Sequence, residues 1–172
     1  MATIKYENGT YRTDGDLPAI GSRAPDVSLV NTKLQNVTLA NWLGRRKIMN
    51  IIVSIDTEVC AKSVIEFDRR CRNLTDVEII SVSYDLPFAY RRFQEQHDLQ
   101  KIIGLSAIRH QGFGENYGVL IGDGPLAGMF ARAVVVLDEN NTVVHQEFID
   151  DIATEPNYDA ALRSLGIRSD ED

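Results

Sequence analysis

Cys60 follows Thr57 by three residues, in the run Ser54-Ile55-Asp56-Thr57-Glu58-Val59-Cys60. An apolar, strand-like stretch precedes it, Ile48-Met49-Asn50-Ile51-Ile52-Val53, and a helix-like segment follows over 61–74. A cysteine where a strand hands over to a helix sits at the positive end of the helix dipole. That position favours the thiolate, the nucleophilic form of the side chain. The Thr57 hydroxyl could be aimed at the sulfur or at an oxygen bound beside it. Plainer readings compete. Free cysteine is among the most buried residue types, so Cys60 could serve packing alone. Asp56 and Thr57 could both be helix caps, a role compatible with chemistry one turn later.

The elements that must hold these residues follow from periodicity. Residues 47–55 read as a buried strand. The helix spans about 59–74, and Cys60, Val64, Phe67, Cys71 and Leu74 fall in one narrow stripe at about 100° per residue. Both cysteines therefore lie on its buried face. Residues 77–83 form a second buried strand, 86–97 a second long helix and 102–108 a short strand. A hairpin over 133–138 and 142–149 turns about Asn140-Asn141, and 158–165 form a terminal amphipathic helix. Upstream, Asn8-Gly9 between alternating residues predicts an N-terminal β-hairpin. A passage marked by Gly15, Pro18, Gly21 and Pro25 follows, then a short strand over 27–30 and a helical turn over 39–43. The expected class is α/β: a central mixed sheet flanked by helices on both faces. The β-α-β-α-β-β-α string is the order of a thioredoxin-like fold.

The 172 residues suit a single domain, 1–172, with a core of useful size. A composition 44% hydrophobic and 25% charged is that of a soluble globular protein. The net charge of −7 argues against nucleic acid or an anionic membrane as partner, since both need a basic face. No apolar run follows Met1-Ala2-Thr3, so no secretion signal is expected. Asp123, Arg132 and Asp138 break the later apolar stretches, so no membrane span is expected. Two cysteines do not make a disulfide scaffold, and the expected location is cytoplasmic with reduced thiols. His97, His110 and His145 lack ligand spacing, and Gly112-Phe113-Gly114 with Gly118 is not the dinucleotide fingerprint. No metal and no cofactor are expected. Glu58, two residues before Cys60, would oppose a thiolate unless it faces water, as expected here. Asp170-Glu171-Asp172 reads as a solvated acidic tail.

The run from Asp56 to Cys60 resembles the peroxidatic motif of the peroxiredoxins, and is most similar to their bacterial thiol peroxidase branch, the atypical two-cysteine peroxiredoxins. The resemblance extends over nearly the whole chain. Gly21-Ser22-Arg23-Ala24-Pro25-Asp26 and Asp85-Leu86-Pro87-Phe88-Ala89 match in order. So do Tyr117-Gly118, Asp123-Gly124-Pro125-Leu126, Ala131-Arg132-Ala133-Val134 with Leu137-Asp138-Glu139-Asn140, and Thr154-Glu155-Pro156-Asn157-Tyr158. The resemblance implies that Cys60 is the peroxidatic nucleophile. It implies that Thr57 hydrogen-bonds the thiolate and the incoming peroxide, and that Arg132 supplies a guanidinium to both. Arg132 could otherwise be a surface arginine beginning a strand. The implied substrates are hydrogen peroxide and alkyl hydroperoxides, with organic ones favoured, and the implied assembly is a homodimer.

Two departures bear on mechanism. Val53 stands where the family carries a proline four residues before the threonine. Gln94 stands where this branch carries its resolving cysteine, which leaves Cys71 as the sole other thiol. Eleven residues of intact helix separate Cys71 from Cys60, a rise of roughly 16 Å. A disulfide needs Cα atoms within about 7 Å. Cys71 thus reads as a core residue, and as a resolving thiol only if the helix unwinds. A one-cysteine cycle follows: Cys60 goes to sulfenic acid, and an outside thiol returns it. That thiol would be thioredoxin, glutaredoxin, a small thiol or Cys60 of another chain. A competing reading is a degenerate peroxiredoxin that acts as a redox-sensing or binding protein with little turnover, motivated by Val53 and Gln94. A thiol–disulfide oxidoreductase fits less well, because it wants Cys-x-x-Cys and no such pair exists.

Overall fold

The computed structural model describes residues 1–168. Alternation along β5 (Arg46–Ile51) sets the layering. Ile48 enters one core with Val64, Phe67, Tyr90 and Val134. Met49 and Ile51 enter the other with Ile80, Val135, Phe113 and Phe130. Successive strand residues point to opposite faces, so a continuous apolar run gives a sheet buried on both sides. The same alternation puts Asn50, Ser81 and Ser83 on the first face, all fully buried.

In chain order the remaining elements are β1 (Thr3–Tyr6), β2 (Gly9–Arg12), β3 (Leu29–Val30), β4 (Asn36–Val37), a 3₁₀ turn (Leu39–Trp42), α1 (Glu58–Cys71), β6 (Val77–Ser83), α2 (Pro87–Gln96), β7 (Ile102–Ser106), α3 (Gly112–Asn116), β8 (Ala133–Leu137), β9 (Val143–Phe148) and α4 (Tyr158–Ser164). β1 and β2 form a separate two-stranded sheet, and the main sheet runs β4-β3-β7-β6-β5-β8-β9. β5, β6 and β7 are parallel, and β8 joins β5 antiparallel. The mixed thioredoxin-like sheet, its flanking helices and the N-terminal hairpin are thus present.

Helix α1 forms as its stripe predicts. Cys60, Val64, Phe67 and Cys71 have no exposed surface, and each large side chain so buried contributes about 1.5–3 kcal/mol. Leu74 lies past the last turn. Proline at the first position of α2 suits the helix start, where the missing N–H would have had no partner. Gly104 of β7 makes room for α2, because a Cβ there would lie 2.6 Å from the Tyr90 ring.

Three local expectations are corrected. The first hairpin turns at Glu7-Asn8, with Tyr6 paired to Gly9, not at Asn8-Gly9. Glu7 takes the left-handed φ of 51°. Gly9 enters the strand because Tyr11 crosses it, leaving only 2.2 Å between a would-be Cβ and the phenol oxygen. The buried strand ends at Ile51, so residues 52–57 form the loop that delivers Cys60. Finally, β4 and α3 were not expected from periodicity. α3 forms despite its glycines because Phe113 stacks on Tyr117 with ring centroids 4.4 Å apart and packs on Phe130. The acidic run Asp170-Glu171-Asp172 lies outside the described residues. No helix among the described residues is long and apolar enough to cross a membrane.

Candidate active site

Cys60 occupies the first turn of α1 and is wholly buried. The first helical bond runs from the Ala61 N–H to the Thr57 carbonyl at 2.9 Å. The Cys60 N–H therefore has no partner within the helix and faces the dipole's positive end with the other first-turn donors. Ser63 donates to the Cys60 carbonyl at 2.8 Å, and the Asn50 amide donates to Ser63 at 3.0 Å. These bonds tie the cysteine's own backbone to the sheet beneath.

Arg132 reaches the sulfur from the opposite side. In the β5–β8 pair Ile51 faces Ala133, so Arg132 lies level with the end of β5 from which the cysteine loop departs. Its Nη2 donates to Cys60 Sγ at 3.2 Å and to the Ile152 carbonyl at 2.9 Å. Its Nη1 donates to the Thr154 carbonyl. The side chain is 2% exposed, which removes the surface-arginine reading. Lys62 of α1 pairs with Glu155 at 2.9 Å, holding that carbonyl-bearing loop against the helix. Among the described residues Arg132 pairs with no carboxylate. A buried guanidinium without a counter-charge is costly.

Thr57 is the N-cap residue of α1, but its side chain makes no capping bond. Its hydroxyl donates to the Ser54 carbonyl at 2.8 Å. The proton is thereby committed, and the oxygen presents lone pairs only. Asp56 does not cap either; it is exposed and accepts from Arg92 at 3.0 Å. Glu58 is exposed, as expected.

The departures from the family pattern also have places. Val53 is 6% exposed within the core that contains Cys60. Gln94 donates through Nε2 to the Ile102 carbonyl at 2.5 Å, tying α2 to β7. Cys71 is fully buried at the far end of α1, with the helix unbroken between the two thiols. Burial pushes the Cys71 thiol up from 9.0 to about 11, so its reactive thiolate is suppressed. A neutral group with a raised folded value stabilises fully below the unfolded value, and that contribution is lost as pH rises through the folded one. The native protein should therefore lose stability between pH 9 and about 11 more steeply than Cys71→Ala, compared by urea midpoints. Cys71→Ala should also cost about 1–2 kcal/mol in lost packing and leave Cys60 oxidation within about twofold. Loss of fast oxidation in that variant would show that the second thiol takes part.

Sequence reasoning missed the Ile152 and Thr154 carbonyls that seat Arg132. Backbone carbonyls carry no residue signature, so no local signal marks them. It also missed any role for Asp85, although that residue opens one of the matching motifs.

The fold and the site together define a thioredoxin-like redox protein built around one cysteine. A family model described as Redoxin matches residues 19–162, and the chain belongs to that family. It is 39% identical to a thiol peroxidase of Corynebacterium glutamicum, over 96% of this chain and 99% of that one. It is 42% identical to a thiol peroxidase of Mycobacterium bovis, over 96% and 99% respectively. Among solved structures, a peroxiredoxin-like protein from Aquifex aeolicus superposes with a TM-score of 0.89 at 31% identity, covering 95% of each chain. A thiol peroxidase from Chromobacterium violaceum gives 0.89 at 25% identity, again over 95% of each. The branch that the motifs resemble is therefore borne out.

Proposed function

We propose that the protein is a thiol-dependent peroxidase that reduces hydrogen peroxide and alkyl hydroperoxides at Cys60 in a one-cysteine cycle. The observation that carries this reading is the 3.2 Å contact from Arg132 Nη2 to Cys60 Sγ at the start of a helix. The Cys60 thiolate attacks the terminal oxygen of the hydroperoxide. The sulfur–oxygen bond forms as the O–O bond breaks, giving a sulfenic acid and an alkoxide or hydroxide that takes up a proton. Arg132 and the unpaired Cys60 N–H offer the donors that such a developing charge requires. Thr57, with its proton on Ser54, accepts from the peroxide O–H and orients it. Cys60 has no exposed surface, so entry requires a small displacement of covering side chains.

Gln94 and the remoteness of Cys71 support regeneration from outside the chain. A thiol condenses with the sulfenic acid, releasing water, and a second thiol reduces the mixed disulfide. Thioredoxin, glutaredoxin or a small thiol would serve in the cytoplasm. Leu86 and Phe88, 50% and 58% exposed beside the cysteine loop, support alkyl hydroperoxides as preferred substrates and a homodimer through that face.

Intact-mass measurement of the reduced protein, after brief exposure to one equivalent of hydroperoxide with a dimedone trap, tests the reading. The expected result is rapid gain of one oxygen, trapped at Cys60. Loss of two hydrogens within one chain would mean that Cys71 reaches Cys60 and that α1 unwinds. No fast change with either peroxide would favour the sensing or binding role, as would absence of repeated turnover with the thioredoxin or glutathione systems.

A further inference from the structure

Asp85, just past the end of β6, holds the loop that carries Thr57 and Cys60. Its Oδ1 accepts from the Ser54 hydroxyl at 2.8 Å, and its Oδ2 accepts from the Ile55 N–H at 2.9 Å. Oδ2 also accepts from the buried Ser83 hydroxyl at 2.5 Å. Ser83 takes the Asp85 N–H at 3.0 Å and lies 2.8 Å from the phenol oxygen of Tyr90, which is itself fully buried. The carboxylate is thus anchored from the core side and presents its acceptors to the loop.

Those contacts converge on one atom. Ser54, gripped through its hydroxyl, is the residue whose carbonyl receives the Thr57 hydroxyl at 2.8 Å and the Thr57 N–H at 3.2 Å. The Ser54 hydroxyl in turn accepts from the Asp56 N–H at 3.1 Å. Residues 54–57 belong to no strand or helix, so no sheet ladder fixes that carbonyl.

We propose that Asp85 is a positioning residue for peroxide reduction: it fixes the Ser54 carbonyl, and through it the direction in which the Thr57 oxygen meets the substrate. This inference rests on the peroxidase reading given above. Three donors face the carboxylate, so it must be an acceptor at both oxygens. Asparagine would turn an NH₂ group toward the Ser54 hydroxyl, which must then reverse to accept, or toward the Ile55 N–H, whose bond is lost; either way the loop is held differently. None of these Asp85 bonds reaches Cys60, and removing its negative charge cannot disfavour the thiolate, so slower oxidation in Asp85→Asn reports on substrate geometry.

The test is a double-mutant cycle on single-turnover oxidation of reduced Cys60 by an alkyl hydroperoxide, with iodoacetamide alkylation of Cys60 at the same pH as the parallel readout. Asp85→Asn should slow oxidation by about 10- to 100-fold, the scale of a misplaced reacting group, with alkylation altered by less than about threefold. In a Thr57→Val background Asp85→Asn should cause no further loss beyond about twofold. Unchanged oxidation in Asp85→Asn, full additivity with Thr57→Val, or a parallel fall in alkylation would each overturn the proposal. If Asp85→Asn does not fold, Ser54→Ala takes its place, since it deletes the bond to Asp85, together with the one from the Asp56 N–H, and keeps the carbonyl. It should slow oxidation by about 3- to 10-fold, and only when the Thr57 hydroxyl is present; no loss, or the same loss in Thr57→Val, would sink the idea. A native protein that peroxide leaves unoxidised at Cys60 would refute the peroxidase reading itself. Rapid native oxidation with an indifferent Asp85→Asn would refute the positioning role alone.

Discussion

Cys60→Ser is expected to abolish peroxide consumption while the protein still folds. Serine is nearly isosteric, and its hydroxyl can accept from Arg132 Nη2 where the sulfur now does at 3.2 Å. A neutral hydroxyl is nevertheless a weak nucleophile, and among the described residues no base stands in hydrogen-bond contact with Cys60 Sγ to take its proton. Removing a covalent nucleophile of this kind costs about four orders of magnitude or more. Peroxide loss measured under excess reductant should fall to the rate of buffer alone; retained consumption would place the chemistry elsewhere. The Arg132 guanidinium then meets a hydroxyl in place of the sulfur. Its bonds to the Ile152 and Thr154 carbonyls remain, so the cost in stability is expected to be modest, about 1–3 kcal/mol.

Arg132→Lys should lower the single-turnover oxidation rate by about 10²- to 10³-fold, the usual effect of losing one preorganised donor to a developing oxyanion. The charge is kept but the planar fork is lost. In the native site the two terminal nitrogens serve the sulfur and two carbonyls at once. An ammonium is a point charge on a flexible stem and cannot hold those three acceptors in the same plane. The carbonyl left without a donor adds about 1–3 kcal/mol of destabilisation, read as a lower urea midpoint. A lysine variant that kept more than about a third of the native rate would show that charge alone suffices and that the fork geometry is not used.

The two substitutions report on different parts of one arrangement. Cys60 is set by its own helix, whereas Arg132 is set by the register between β5 and β8. A third part is the loop between β5 and α1, which has no ladder and depends on side-chain contacts for its shape. The absence of a second thiol near Cys60 follows from the same framework. Gln94 of α2 binds the Ile102 carbonyl of β7, and Cys71 lies eleven residues along an unbroken helix. The proposed one-cysteine cycle would accordingly draw its reductant from another molecule.

Much of the framework is legible in the chain because its signals are local. The stripe Cys60, Val64, Phe67 and Cys71 needs only a 3.6-residue period, and those four residues lie on the buried face of α1 with Ser63 and Asp68. The strand over 77–83 is written as a short apolar run and is found with the same bounds as β6. Asn141 in the left-handed region turns the last hairpin where Asn140-Asn141 marks it. The cysteine at the strand-to-helix junction belongs to this same class of signal.

Other features have no local cause. α3 exists because Phe113 finds Tyr117 and Phe130, against the poor helix propensity of its glycines. The first hairpin turns one residue early, with Gly9 in the strand beneath the Tyr11 ring. Arg132 meets Cys60 across 72 residues of chain, and Asp85 meets Ser54 across 31. The Thr57 hydroxyl faces Ser54 because that carbonyl is held where a proton can reach it. The sequence by itself determined most of the elements, the two-sided sheet and the cysteine at a helix start, since periodicity and turn chemistry act within a few residues. Tertiary structure alone decided which donor reaches the sulfur and which carboxylate holds the Thr57 loop, because those contacts arise only when strand register and core packing bring distant segments together.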